Sequence, residues 1–142
     1  LGVGECSGEV ISQFQFLLAD AEREVFEAQL KHEEGDLLEA DSLAFSGMLK
    51  AAKALIQEQI KDIGKEPDHV VHEFRTRFYD TELFFDQYAR GKFGRYLLQR
   101  YKAGPVGGNT EAVHQLIEEA QLFIDATHAC SAKMQEQSVL QN

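Results

Sequence analysis

The chain has little of what disulfide-rich and zinc-stabilised folds depend on. Its 142 residues include no tryptophan, two prolines and two cysteines. Cys6 and Cys130 stand far apart, without the paired Cys/His spacing of a zinc finger or the dense spacing of a disulfide framework. We therefore expect neither a structural zinc site nor a fold held together by disulfides.

Long apolar runs are missing as well. No stretch approaches the roughly 20 apolar residues that cross a bilayer, and the start lacks the basic and apolar regions of a signal peptide. Apolar residues make up 44% of the chain and charged residues 27%, which is typical of a globular domain. We expect one domain that is soluble and cytoplasmic and does not contact a membrane.

Positive charge is scarce overall and concentrated in one segment. The chain has 14 Lys and Arg against 24 Asp and Glu, a net charge of -10, which argues against binding to duplex nucleic acid. Half of the cations lie between Phe74 and Lys102, together with most of the aromatic residues. Either this segment pairs its cations with acidic neighbours in a bundle, or it receives an anionic partner such as a nucleotide or a phosphate.

Apolar residues at steps of three and four predict a first helix from Val10 to about His32. Gly35 can end it, and Asp36 can cap a second helix by accepting hydrogen bonds from free backbone amides. This second helix carries two apolar stripes, which predicts that it is covered on more than one side. Its stripes are Leu37, Ala40, Ala44, Met48, Ala51, Leu55 and Leu38, Phe45, Leu49, Ala52, Ile56, Ile60.

Two further helices complete the predicted fold. A loop from Gly64 to Asp68 precedes a third helix that begins near His69, and the glycines of the segment 91–94 predict a bend or break in it. A second loop, 103–109, leads to a fourth helix capped by Asn109 or Thr110. No segment alternates as a half-buried strand does. We therefore predict an all-α fold, an antiparallel up-down four-helix bundle with a bent or interrupted third helix.

Carboxylates and histidines raise the question of a metal site. The spacing Glu-x-x-His occurs twice, and in a di-metal carboxylate bundle such elements supply ligands from facing helices. One precedes Pro67 in a loop and the other lies off the apolar face of the fourth helix, so the ligands would not converge. The residues concerned are Glu66, His69, His72, Glu73, Glu111 and His114. We assign no metal ligands, no catalytic residues and no cofactor to this chain.

The candidate binding residues are cations. Lys50 and Lys53 lie on the polar stripe of the second helix, where two arrangements are open. They can pair with the acidic face of the first helix at Glu22, Glu24 and Glu27, or they can join the cations of the third helix around an anion. The second arrangement predicts a nucleotide or phosphate groove between helices two and three, formed by Lys50, Lys53, Arg75, Arg90, Lys92 and Arg95.

The run Leu37–Ile56 resembles the most recognisable stretch of HEPN domains, in which a short turn leads into a helix rich in small residues that ends in an Ala-Lys-Ala-Leu-Leu-like run. The resemblance extends over residues 10–134. It implies an antiparallel helical bundle, and the family includes nucleotide-binding companions of nucleotidyltransferases, ribonuclease toxins and noncatalytic appended domains. The ribonuclease members use an Arg followed after four to six residues by His, and this pair is absent here.

The opening Gly2-Val3-Gly4-Glu5-Cys6 is similar to a junction that precedes helical extensions at the C-terminal side of bacterial sirohaem-type nitrite or sulfite reductases. Residues 1–9 are accordingly expected to be a linker from a preceding domain, and residues 135–142 a frayed tail. The resulting prediction is a noncatalytic accessory domain for homodimerisation or for docking within a parent enzyme, and the resemblance implies that this parent is an oxidoreductase. Nucleotide binding by the basic groove is the alternative.

Overall fold

The computed structural model describes the backbone of residues 12–141 and the side chains of residues 12–137. Within these residues the fold is all-α. Its five α-helices and one π-helical turn (Arg75–Tyr79) are, in chain order, α1 (Gln13–Glu33), α2 (Leu37–Gln57), α3 (Pro67–Phe74), the π-helical turn, α4 (Lys92–Ala103) and α5 (Thr110–Gln141). The predicted helical class is confirmed, whereas the up-down four-helix arrangement stays a prediction. The predicted linker 1–9 lies outside the described residues.

The start of α1 and its junction with α2 follow from local chemistry. Ser12 and Gln15 form a capping box, in which each side chain binds the backbone amide of the other residue. At the other end Gly35 adopts a φ of +86°, a left-handed conformation that glycine takes at little cost. Asp36 then accepts a hydrogen bond from the Glu39 amide and caps α2. The predicted stop and cap are confirmed.

The second helix is central, as its two stripes predict. It packs against α1, α3, α4 and α5, and ten of its residues are buried. One residue departs from the predicted pattern, because Leu38 in the first turn of α2 is 67% exposed. Leu38 lies on the solvent side of this turn, whereas Ala40 in the same turn is fully buried.

Helices α1 and α2 approach each other closely at Gly47. A Cβ atom placed there would lie 2.8 Å from Cγ2 of Val25 and 3.1 Å from the carbonyl oxygen of Ala21. The small residues of α2 therefore allow the two helices to approach each other closely. Ala44, Ala51 and Ala52 are also fully buried.

The predicted third helix is interrupted earlier than the glycines suggest. It begins at Pro67, passes into the π-helical turn and ends at Tyr79, and a loop of residues 80–91 follows. Gly91 is the N-cap of α4, and Gly94 lies inside that helix. A Cβ atom on Gly94 would lie 3.1 Å from Tyr79 and 3.2 Å from Phe84, so this glycine provides space for aromatic packing and does not break a helix.

The last helix, α5, buries the face that its apolar spacing predicts: Val113, Leu116, Ile117, Ala120, Phe123, Ile124, Thr127 and Cys130. Asn109 caps it, since its side-chain oxygen accepts a hydrogen bond from the Ala112 amide at 2.9 Å. Helical backbone continues through Gln141, and the fraying predicted for 135–142 stays a prediction. Among the described helices, none combines the length and the apolar character needed to span a bilayer.

Candidate functional site

Lys50 of the predicted basic groove faces acidic residues of α1. Its ammonium group donates to Asp20 Oδ2 at 2.5 Å and to Glu24. Burial opposes the charge of Lys50, but these hydrogen bonds outweigh it and raise its pKa. The same ammonium, with a contribution from Arg23, lowers the pKa of Asp20. Lys50 therefore follows the ion-pair alternative, through Glu24 as anticipated and through Asp20, which the sequence reasoning missed.

The other five predicted groove residues are spread over four structural elements. Lys53 is half-buried on α2, and Arg75 is exposed in the π-helical turn. Arg90 is exposed at the end of the loop 80–91, with a φ of +58°. Lys92 and Arg95 are exposed in the first turn of α4. Since Lys50 is neutralised by α1, a groove of all six cations is not the arrangement found.

Two of these cations are positioned by neighbouring groups. Arg95 donates from Nε to the hydroxyl of Tyr79 at 3.3 Å. Arg90 exchanges two backbone hydrogen bonds with Asp86, at 2.7 and 2.9 Å. The Asp86 carboxylate accepts backbone hydrogen bonds from Ala89 and Tyr88, which lower its pKa. The Asp86 carboxylate therefore stabilises the conformation of the loop that contains Arg90.

The sequence reasoning did not identify a buried ion pair between α2 and α4. Asp41 is 1% exposed and accepts a hydrogen bond from Arg100, whose guanidinium also lies 4.4 Å from the ring centre of Phe45. The second oxygen of Asp41 accepts from the Val106 amide at 2.8 Å. The pair therefore ties the start of α2 to the end of α4 and to the loop before α5. The available signal was a charge at a core-facing position, since Arg100 follows Leu97 by three residues.

The residues considered for a di-metal site do not converge. His69 and His72 are exposed on α3, and Glu73 is paired with Arg77, which lowers the pKa of Glu73. His114 is exposed and lies 3.4 Å from Glu118 on the same helix. Within the described residues, no three His, Cys, Asp or Glu side chains form a group suited to holding a metal ion.

An open groove of about 330 Å³ lies between α1 and α5. We call it the α1–α5 groove, and it is lined by Glu22, Val25, Phe26, Gln29, Gln121, Ile124 and Asp125. Val25 and Ile124 are buried core residues at its floor, whereas Phe26 is 58% exposed. Leu30, an exposed apolar residue one helical turn after Phe26, lies on the same side of α1 as Phe26, and Phe16 is exposed nearer the start of the helix. The sequence reasoning missed this surface, although Phe16, Phe26 and Leu30 lie off the stripe that it assigned to the core.

No protein-family model matches the chain, and neither the curated proteins nor the solved structures include a significant match.

Proposed function

We propose that this chain is a noncatalytic helical accessory domain that docks a protein partner through the α1–α5 groove. The observation that carries the proposal is the exposure of large apolar side chains beside the α1–α5 groove. Phe26 is 58% exposed at the groove, and Leu30, one helical turn further along α1, is 42% exposed. Apolar surface grouped in this way is typical of interaction sites.

Several finer parts of the proposal rest on the sequence. A HEPN-like identity is supported by the run of α2 that resembles that family. Attachment to a larger metabolic enzyme, such as a nitrite or sulfite reductase, is supported by the similarity of Gly2–Cys6 to a domain junction. The partner is then either a second copy of the chain or another part of the parent enzyme.

Site-directed photocrosslinking tests the docking proposal. A photoreactive phenylalanine analogue replaces Phe26 in the protein as it is made in its own cells, and the control carries the analogue at Tyr88, which is 88% exposed in the loop 80–91. We expect a discrete crosslinked product from position 26 that position 88 does not give. Sedimentation velocity of the purified chain measures self-association in parallel. Equal labelling from both positions, together with a monomeric chain at high concentration, would refute docking.

A nucleotide- or phosphate-binding domain remains the alternative proposal. It would use the cations other than Lys50, with Lys53 and Arg95 as the residues to test. Calorimetry with ATP and ADP at low salt should then give saturable heat, and the charge reversals Lys53→Glu and Arg95→Glu should abolish it. Heat that does not saturate, or that both variants retain, would remove this alternative.

A further inference from the structure

The α1–α5 groove has an apolar floor and a carboxylate on each side. Val25 and Ile124 form the floor, and Phe26 stands beside it. Glu22 on α1 and Asp125 on α5 are exposed and line the same groove, and Oε2 of Glu22 also lies 3.3 Å from Nε2 of His128 on α5. A volume of about 330 Å³ accommodates one or two large apolar side chains of a partner.

The acidic character continues along both helices. A second open recess adjoins α5 toward its N-terminus and is lined in part by Glu111, Glu118, Glu119 and Leu122. Leu122 is 40% exposed there. Two carboxylates of α1, Asp20 and Glu24, are neutralised by Lys50 on the side facing α2. The negative charge of this face therefore comes from Glu22 and Asp125 at the groove and from the three glutamates of the recess. Apolar contacts and negative charge therefore run side by side over this face.

The charge of this face distinguishes between two kinds of partner, a second copy of the chain and a different, basic protein segment. A second copy would bring the same acidic helices and a net charge of -10, and like charges facing each other weaken an interface. A partner segment with Lys and Arg beside apolar residues would match both the apolar floor of the groove and its negative charge. An amphipathic helix presents such residues at steps of three and four, which is how helices bind apolar grooves.

We propose that the α1–α5 groove binds a basic amphipathic helix of a protein partner. This inference rests on the docking function proposed above and names the chemistry of its partner. The apolar side chains of the partner helix enter the groove beside Phe26, and its Lys or Arg side chains pair with Glu22 and Asp125. Since α1 has 21 residues and is thus about 31 Å long, a partner helix of several turns can lie along it.

Fluorescence anisotropy with designed peptides tests the inference on the full chain. The probe is a labelled 18-residue helix of leucine and lysine with the leucines on one face. A peptide with glutamate in place of lysine tests the charge, and one with the same leucines and lysines in scrambled order tests amphipathicity. We expect saturable binding of the first peptide, with an affinity that falls as salt rises, and at least tenfold weaker binding of the other two.

Groove variants and matched controls locate the binding. Phe26→Ala should weaken binding about tenfold, because buried aromatic anchors dominate such interfaces. The double variant E22Q/D125N should weaken it about three- to tenfold at low salt, since each exposed ion pair contributes modestly. The controls are Leu38→Ala, an exposed apolar residue on α2, and E58Q/D62N, two exposed carboxylates in the segment that follows α2. Each control should change the affinity less than twofold.

The possible results separate this inference from the docking proposal. Binding of the basic peptide that the groove variants and the controls affect equally would overturn the inference, because the attraction would then be general. Preference for the acidic peptide, or self-association of the chain that Phe26→Ala abolishes, would also overturn it and leave docking in place. Failure of the photocrosslinking test together with failure of all peptides to bind would remove both.

Discussion

The substitution Gly47→Ala places two known effects in opposition at the contact between α1 and α2. Alanine favours the helix over glycine by about 1 kcal/mol. However, its Cβ atom would lie 2.8 Å from Val25 Cγ2 and 3.1 Å from the Ala21 carbonyl oxygen. Val25 is 2% exposed, and a β-branched side chain is restricted to few rotamers. Neither contacting atom can therefore move away without shifting a packed helix.

Overpacking of this kind costs about 1–3 kcal/mol, which exceeds the gain in helix propensity. We expect Gly47→Ala to lower the free energy of unfolding by about 1 kcal/mol, which corresponds to a Tm lower by about 2–4 °C for a chain of this length. Urea unfolding followed by far-ultraviolet circular dichroism measures the free energy, and a thermal scan measures the Tm.

Gly64→Ala is the matched control, because a Cβ atom at Gly64 meets nothing within 4 Å. It should leave the free energy of unfolding unchanged or raise it by up to about 1 kcal/mol, since it restricts the unfolded chain. In a Val25→Ala background the penalty of Gly47→Ala should shrink, as a double-mutant cycle would show. If Gly47→Ala stabilises the protein as much as the control does, the reasoning about the close approach is wrong.

Three further predictions follow from side-chain contacts. Arg100→Ala should lower the free energy of unfolding by about 3–5 kcal/mol in chemical denaturation, because it leaves the buried Asp41 carboxylate uncompensated; a loss below 1 kcal/mol would contradict this role. The pKa of Asp20 in the folded chain is lowered from 3.8, chiefly by Lys50. The ionised Asp20 carboxylate therefore stabilises the fold above about pH 4, and this stabilisation is lost as the pH falls through the lower, folded-state pKa. Asp20→Asn should therefore make the unfolding free energy less dependent on pH below 4, and an unchanged dependence would refute the assignment. Burial raises the pKa of the Cys130 thiol to about 11. In a Cys6→Ser variant, iodoacetamide at pH 8 should therefore react far more slowly with the folded chain than with the unfolded chain. Equal rates would show that the Cys130 thiol is accessible.

Local sequence signals predicted much of the helical structure. Gly35 and Asp36 act at helix ends through their own backbone conformation or bonds to nearby backbone, so neighbouring residues suffice to predict them. The apolar stripes of α2 and α5 predicted burial because a helix repeats its faces every 3.6 residues. The position of the break in the third helix was wrong, because Gly94 has a packing role that depends on the distant Tyr79 and Phe84.

The candidate site was harder to predict from sequence. Lys50 was recognised as a residue with two alternative partners, but spacing alone could not decide between α1 and the cations of the third helix. The pair of Asp41 and Arg100 joins residues 59 positions apart, and the sequence gives no measure of their distance. The α1–α5 groove likewise combines residues about a hundred positions apart.

The sequence alone determined the helical class, most helix ends and the buried faces of α2 and α5, because these depend on interactions within a few residues or on one helical period. The tertiary structure alone decided which carboxylates neutralise Lys50, that Arg100 pairs with Asp41, and which apolar residues remain exposed beside α5. Those outcomes depend on how the helices rotate and approach one another, and packing of the whole core sets that geometry.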